Sequence, residues 1–135
     1  LREIELRIYY APEAAMKKAR PALVPPAVLT LPPPNVTAVL EDLRRNAVER
    51  ALGAFEEAAR VVDTHGRGHP KAGSAMGGFL ADLGPLDLTL GGLADDGRCC
   101  CVEATLSRGD EETPALFAFE RGDSGLFREL RIYTD

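Results

Sequence analysis

Between residues 63 and 70 the chain reads Asp63-Thr64-His65-Gly66-Arg67-Gly68-His69-Pro70, an acid followed closely by two imidazoles. A carboxylic acid exchanges protons with a bound molecule when partial burial lifts its pKa toward the working pH. An imidazole beside it is a natural proton carrier, because its unperturbed pKa lies near neutral. Asp63 and His65 are therefore candidates for proton transfer, the alternative for Asp63 being an acid that caps a turn at a strand end. The spacing His65-x-x-x-His69 suits zinc only where a helix aligns the rings, and Gly66, Gly68 and Pro70 forbid one; no metal is expected. The stretch from Gly68 to Ser74 lacks the lysine a phosphate loop places directly before its serine. A second acid, Glu103, shares one face of a strand with Cys99, Cys101 and Thr105, while Cys100, Val102, Ala104 and Leu106 share the other. The adjacent thiols point to opposite faces, so they close neither a metal cage nor a disulfide framework and read as small buried hydrophobes.

The elements that hold these residues follow from periodicity. Val36, Val39, Leu40, Leu43 and Ala47 recur at helical spacing behind Asn35, a suitable N-cap. Val48, Ala51, Leu52 and Phe55 continue as a second amphipathic helix. Arg60 to Thr64 is a short β-branched strand, and Ser74 to Leu83 a third helix that starts near Ser74 and stops at Gly84-Pro85. Strands are predicted from Leu86 to Leu90, from Arg98 to Ser107, from Ala115 to Glu120 and from Leu126 to Thr134, with turns at Asp95-Asp96-Gly97 and Gly122-Asp123-Ser124-Gly125. Helices followed by a four-strand meander give an α+β fold. It is expected as a cone-shaped curved antiparallel sheet wrapped by three N-terminal helices, with a cavity that suits a small apolar molecule.

The 135 residues suffice for one ordinary domain. A net charge of -5 argues against a nucleic-acid partner, and no apolar run is long enough to span a membrane. With no leader visible, the cytoplasm is the expected compartment. Glu5-Leu6-Arg7-Ile8-Tyr9 recurs as Glu129-Leu130-Arg131-Ile132-Tyr133. Residues 1–10 thus read as a strand, either the end of a preceding related unit or an extra edge strand of this one. Residues 11–34 hold most of the prolines and read as a linker, and residues 35–135 as the domain proper.

The unit from Asn35 resembles the nuclear-transport-factor-two-like superfamily, and more narrowly its SnoaL-like and ketosteroid-isomerase-like members. The resemblance is carried by Ala59-Arg60-Val61-Val62-Asp63-Thr64-His65-Gly66, by Gly73-Ser74 opening a helix that holds Phe79, by Asp95-Asp96-Gly97-Arg98 and by Arg131-Ile132-Tyr133-Thr134-Asp135. It implies that Asp63 stands where ketosteroid isomerases keep their general base. It also implies that the face of Glu103 lines the pocket, the alternative being a reversed register that turns Glu103 to solvent or a dimer mate. The oxyanion hole of those isomerases is not matched: Val39 falls at its tyrosine, and Leu116 or Phe117 at its late-strand acid. Steroid isomerisation by that mechanism is therefore not expected.

The resulting expectation is a small-molecule-binding SnoaL-like domain acting as a lyase, isomerase or cyclase without a cofactor. Asp63, Glu103 and His65 would do the chemistry between walls made by Val39, Phe55, Phe79, Leu116, Phe117 and Leu130. The ligand would be small and apolar or polyketide-like, and the protein a homodimer or packed against an upstream copy. The rival expectation is a non-catalytic dimerisation or accessory module of a tandem protein.

Overall fold

The computed structural model describes residues 32–134. The strand expected over residues 1–10 and nearly all of the proline-rich segment lie outside the described residues. Helix α1, Pro34–Arg45, follows Pro32 and Pro33. A proline at the first helical position has its φ already set and lacks only an N–H the helix would leave unpaired. Pro33 is therefore the N-cap and Asn35 lies inside the helix, where an asparagine cap had been expected. Val36, Val39, Leu40 and Leu43 form the buried stripe of α1, and Asn46 ends it in the left-handed conformation.

Helix α2 is a short segment, Val48–Leu52, stopped at Gly53. Phe55 does not belong to it. It opens strand β1, Phe55–Val62, which begins well before the predicted Arg60. Helical spacing from Val48 through Phe55 concealed the change, because Phe55 enters the same core from a strand that a helix would have reached from its last turn. Strand β2, Gly68–Pro70, folds back antiparallel on β1 and pairs Val61 with His69. A single 3-10 turn, Ala72–Ser74, leads into helix α3, Ala75–Leu83. Ser74 has a positive φ of 64° and donates its hydroxyl to the carbonyl of Gly73, so it gives no N-cap hydrogen bond.

Strands β3 (Asp87–Asp95), β4 (Cys99–Arg108), β5 (Glu111–Arg121) and β6 (Phe127–Thr134) form the expected antiparallel meander. The sheet has six strands in the order β2-β1-β6-β5-β4-β3. Its one parallel pairing joins β1 to β6 and places Val61 beside Leu130. The result is a curved, unclosed sheet with a few helices, an α+β cone. Alternation decides what each face meets. Cys100, Val102, Ala104 and Leu106 of β4, Ala115, Phe117 and Phe119 of β5, and Leu130 and Ile132 of β6 turn inward and join α1 and α3 in one core.

Candidate functional site

A pocket of about 230 Å3 remains between α3 and the inner face of the sheet. Phe79, Leu83, Leu86, Leu106, Phe117 and Ile132 form its apolar walls, and Asp63, Thr64, His65, Arg108 and Thr134 its polar part. The cone leaves this space at its end because β1 stops at Val62 and the chain turns over the gap. Gly66, with a φ of 82°, makes that turn at no steric cost. Thr64 then ties the strand ends together: its hydroxyl donates to the carbonyl of Thr134 at 3.0 Å and accepts the Thr134 N–H at 2.8 Å.

Asp63 is held by three donors. The backbone N–H groups of His65 and Arg67 reach Oδ1 at 2.9 and 3.0 Å. The Nε2 of His69 lies 3.0 Å from Oδ2. The hydrogen bond from His69, followed by that from the Arg67 N–H, lowers the Asp63 pKa from 3.8 to about 2. This reverses the expectation of an acid raised by burial. Each donor stabilises the ionised form, and burial, which opposes them, is outweighed by the His69 and Arg67 hydrogen bonds.

His69 enters the sequence only as half of an unsuitable zinc spacing, yet it makes the strongest contact to Asp63. The β1–β2 pairing puts it opposite Val61 and therefore on the inward face, two residues from Asp63 in register. Its ring stacks on Phe79, with centroids 4.4 Å apart and planes 19° from parallel. The pairing of β2, three residues long, was the missing signal. A Gly-His-Pro segment carries no alternation from which a strand can be read.

The other candidates divide. Phe79 and Phe117 line the pocket, as does His65. Val39, Phe55 and Leu130 do not. They are buried in the closed core, where Phe55 packs on Phe127 with ring centroids 5.6 Å apart. Leu116 lies on the outer face, paired with Glu103 on one side and Tyr133 on the other. Glu103 is exposed on that same outer face, over the irregular stretch of β3 at Gly91 and Gly92. A Cβ on Gly92 would stand 2.7 Å from its Oε1, so a glycine there leaves room for the carboxylate. The pairing of Asp63 with Glu103 in one cavity is thus overturned by register: Val102, Ala104 and Leu106 hold the inner face of β4. Cys99 and Cys101 also differ from expectation, being half-buried on the outer face, and only Cys100 is a core thiol.

No family model matches the chain, and no curated protein matches it. Solved structures do. A candidate ketosteroid isomerase from Kribbella flavida superposes with a TM-score of 0.64 at 22% identity, over 76% of this chain and 76% of that one. A protein of ketosteroid-isomerase-like fold from Catenulispora acidiphila, in complex with trimethylamine, gives 0.64 at 15% identity over 76% and 86%. An epoxide hydrolase/cyclase-like enzyme of pyran-ring formation in the polyether salinomycin gives 0.60 at 13% over 76% and 88%. Nuclear-transport-factor-two-like proteins of unknown function are among the further matches. The chain has the nuclear-transport-factor-two-like fold. Within that fold ketosteroid-isomerase-like and cyclase-like proteins are its structural neighbours, and identities this low carry the architecture alone.

Proposed function

We propose that this nuclear-transport-factor-two-like domain binds a small, mainly apolar molecule in the 230 Å3 pocket and anchors it by a hydrogen bond to Asp63. One observation carries the reading. An ionised carboxylate has about four acceptor directions, and the three donors on Asp63 leave it capacity for a further one from a molecule in the pocket it lines. The size fits a molecule of one or two rings, since about 150 Å3 is enough for benzene. The ligand end facing Asp63 carries a hydroxyl or an ammonium group. That the Catenulispora neighbour holds trimethylamine supports a small ligand of this kind.

The chemistry that suits the site is that of a cofactor-free cyclase, isomerase or lyase. An acid with a pKa of about 2 is a weak base toward a carbon acid. It is well placed to orient a hydroxyl and to stabilise positive charge that develops as a ring closes or an epoxide opens. His69 is the positioning residue behind it. Thermal-shift screening with cyclic alcohols and amines tests the reading, because a ligand selective for the folded state raises Tm. We expect a hit whose affinity falls at least tenfold in Asp63→Asn, with the circular dichroism spectrum unchanged. Equal binding by the variant would remove Asp63 from the site.

A further inference from the structure

The outer face of β4 carries a feature that the pocket does not use. Strand alternation sends Cys100 into the core and turns Cys99 and Cys101 together to the opposite face. Their sulfurs are 4.0 Å apart, one thiol donating to the other. The Cys101 hydrogen bond holds the Cys99 thiol below its ordinary range. The same bond, with burial, pushes Cys101 well above it. The cross-strand neighbours of Cys101 are Ala94 on β3 and Ala118 on β5, so small side chains flank the pair.

Two chemistries are open to thiols so placed, and geometry separates them. Residues two apart on a strand have Cα atoms about 6.6–6.8 Å apart. That is the upper limit for a disulfide, which also needs Cβ vectors that converge, whereas these run side by side. A metal ion asks for no such convergence. Two thiolates each about 2.3 Å from one ion stand at most about 4.6 Å apart, so from their present 4.0 Å a small side-chain rotation brings both sulfurs onto a single ion. The donor count then selects the ion. Among the described residues no group of three or more His, Cys, Asp or Glu side chains is placed to hold a metal. Four-coordinate zinc and iron–sulfur clusters ask for more ligands than these two described thiols supply. Soft thiolates favour a cation that accepts few donors, as cuprous copper does.

We propose that Cys99 and Cys101 form a two-thiolate site for a soft monovalent cation of the cuprous type. Binding replaces the thiol–thiol hydrogen bond with two metal–sulfur bonds and releases both thiol protons to solvent, so two thiols and one Cu+ give a bis-thiolate of net charge -1 and two H+. No oxidation of sulfur or metal is involved. The site is separate from the pocket, and its test does not depend on what the pocket binds.

Anaerobic titration of the reduced chain with Cu(I), against a chromophoric cuprous chelator, reads the site directly. One equivalent is expected to move to the wild type and to Cys100→Ala, with two protons released per ion in a lightly buffered solution. Cys99→Ser and Cys101→Ser should each bind at least a hundredfold more weakly. Circular dichroism of every variant establishes that the fold is kept. Copper retained by the Cys99→Ser/Cys101→Ser double variant, or none taken by the wild type, would overturn the proposal. A matching one-equivalent uptake of Zn2+ alone would overturn the assignment to a low-coordination ion.

Discussion

The two faces of β4 are made from one run of sequence, yet they do opposite work. Inward, Cys100, Val102, Ala104 and Leu106 are all at most 7% exposed and complete the core. Outward, Cys99, Cys101, Glu103 and Thr105 meet solvent or partly covered surface. The inner face tolerates little, since its volume is fixed by α1 and α3, and it is interrupted only where the sheet end stays open as the pocket. The outer face has space for ionisable and thiol groups whose chemistry the core would suppress. The thiols differ within a single residue step: Cys100 is pushed up to about 11, mainly by desolvation, while the hydrogen bond from Cys101 moves its neighbour Cys99 down against its own burial.

The largest test of that contrast is Phe119→Ala. The ring is fully buried and packs on Phe127 with centroids 5.1 Å apart. Truncation should cost about 3–5 kcal/mol, a large part of the roughly 5–15 kcal/mol that domains possess, and urea denaturation measures it. A loss below about 1 kcal/mol would mean the inner face is not the core described here. An intermediate effect belongs to Asp63. Its folded pKa, about 2, lies below the ordinary 3.8, so its stabilisation is fully present above pH 3.8 and is lost as pH falls through 2. Acid unfolding of Asp63→Asn should therefore show a shallower pH dependence across that window than wild type. Identical acid limbs would mean that His69 and the loop N–H groups do not hold the carboxylate. The smallest effect is expected at Glu103→Gln, within about 0.5 kcal/mol of wild type and without change in ligand affinity. A strong loss of binding there would reverse the faces of β4.

The meander was legible because Leu86, Leu88 and Leu90, or Val102, Ala104 and Leu106, alternate with polar residues, and alternation is a local property. The face of β4 was legible too, in the greater apolarity of the Val102 set, and it conflicts with the pocket-facing register that the family resemblance implies for Glu103. The face of Leu116 is hidden for a related reason: it lies between the buried Ala115 and Phe117 in a strand that is apolar on both sides, Ala115-Leu116-Phe117-Ala118-Phe119. What could not be read was everything that depends on distant pairing. Glu56 and Glu57 lie in β1 within the irregular stretch between the Phe55–Phe127 and Arg60–Glu129 pairings with β6, and nothing in their own neighbourhood marks a strand. His69 reaches Asp63 only because β2 returns along β1. The pKa of Asp63 followed the same path, since its sign depends on three donors that the turn and the hairpin deliver.

The parallel pairing of β1 with β6 has a consequence for how the molecule is made. Arg60 and Glu129, joined at 2.9 Å across that seam, are 69 positions apart in sequence. Contacts so remote form late and slow the search for the native state. During synthesis β1 must wait, with Val61 and its free edge uncovered, until β6 has emerged from the ribosome. The strand that leads into the pocket thereby spends synthesis with an unpaired edge, the kind of surface on which nascent chains stick to one another.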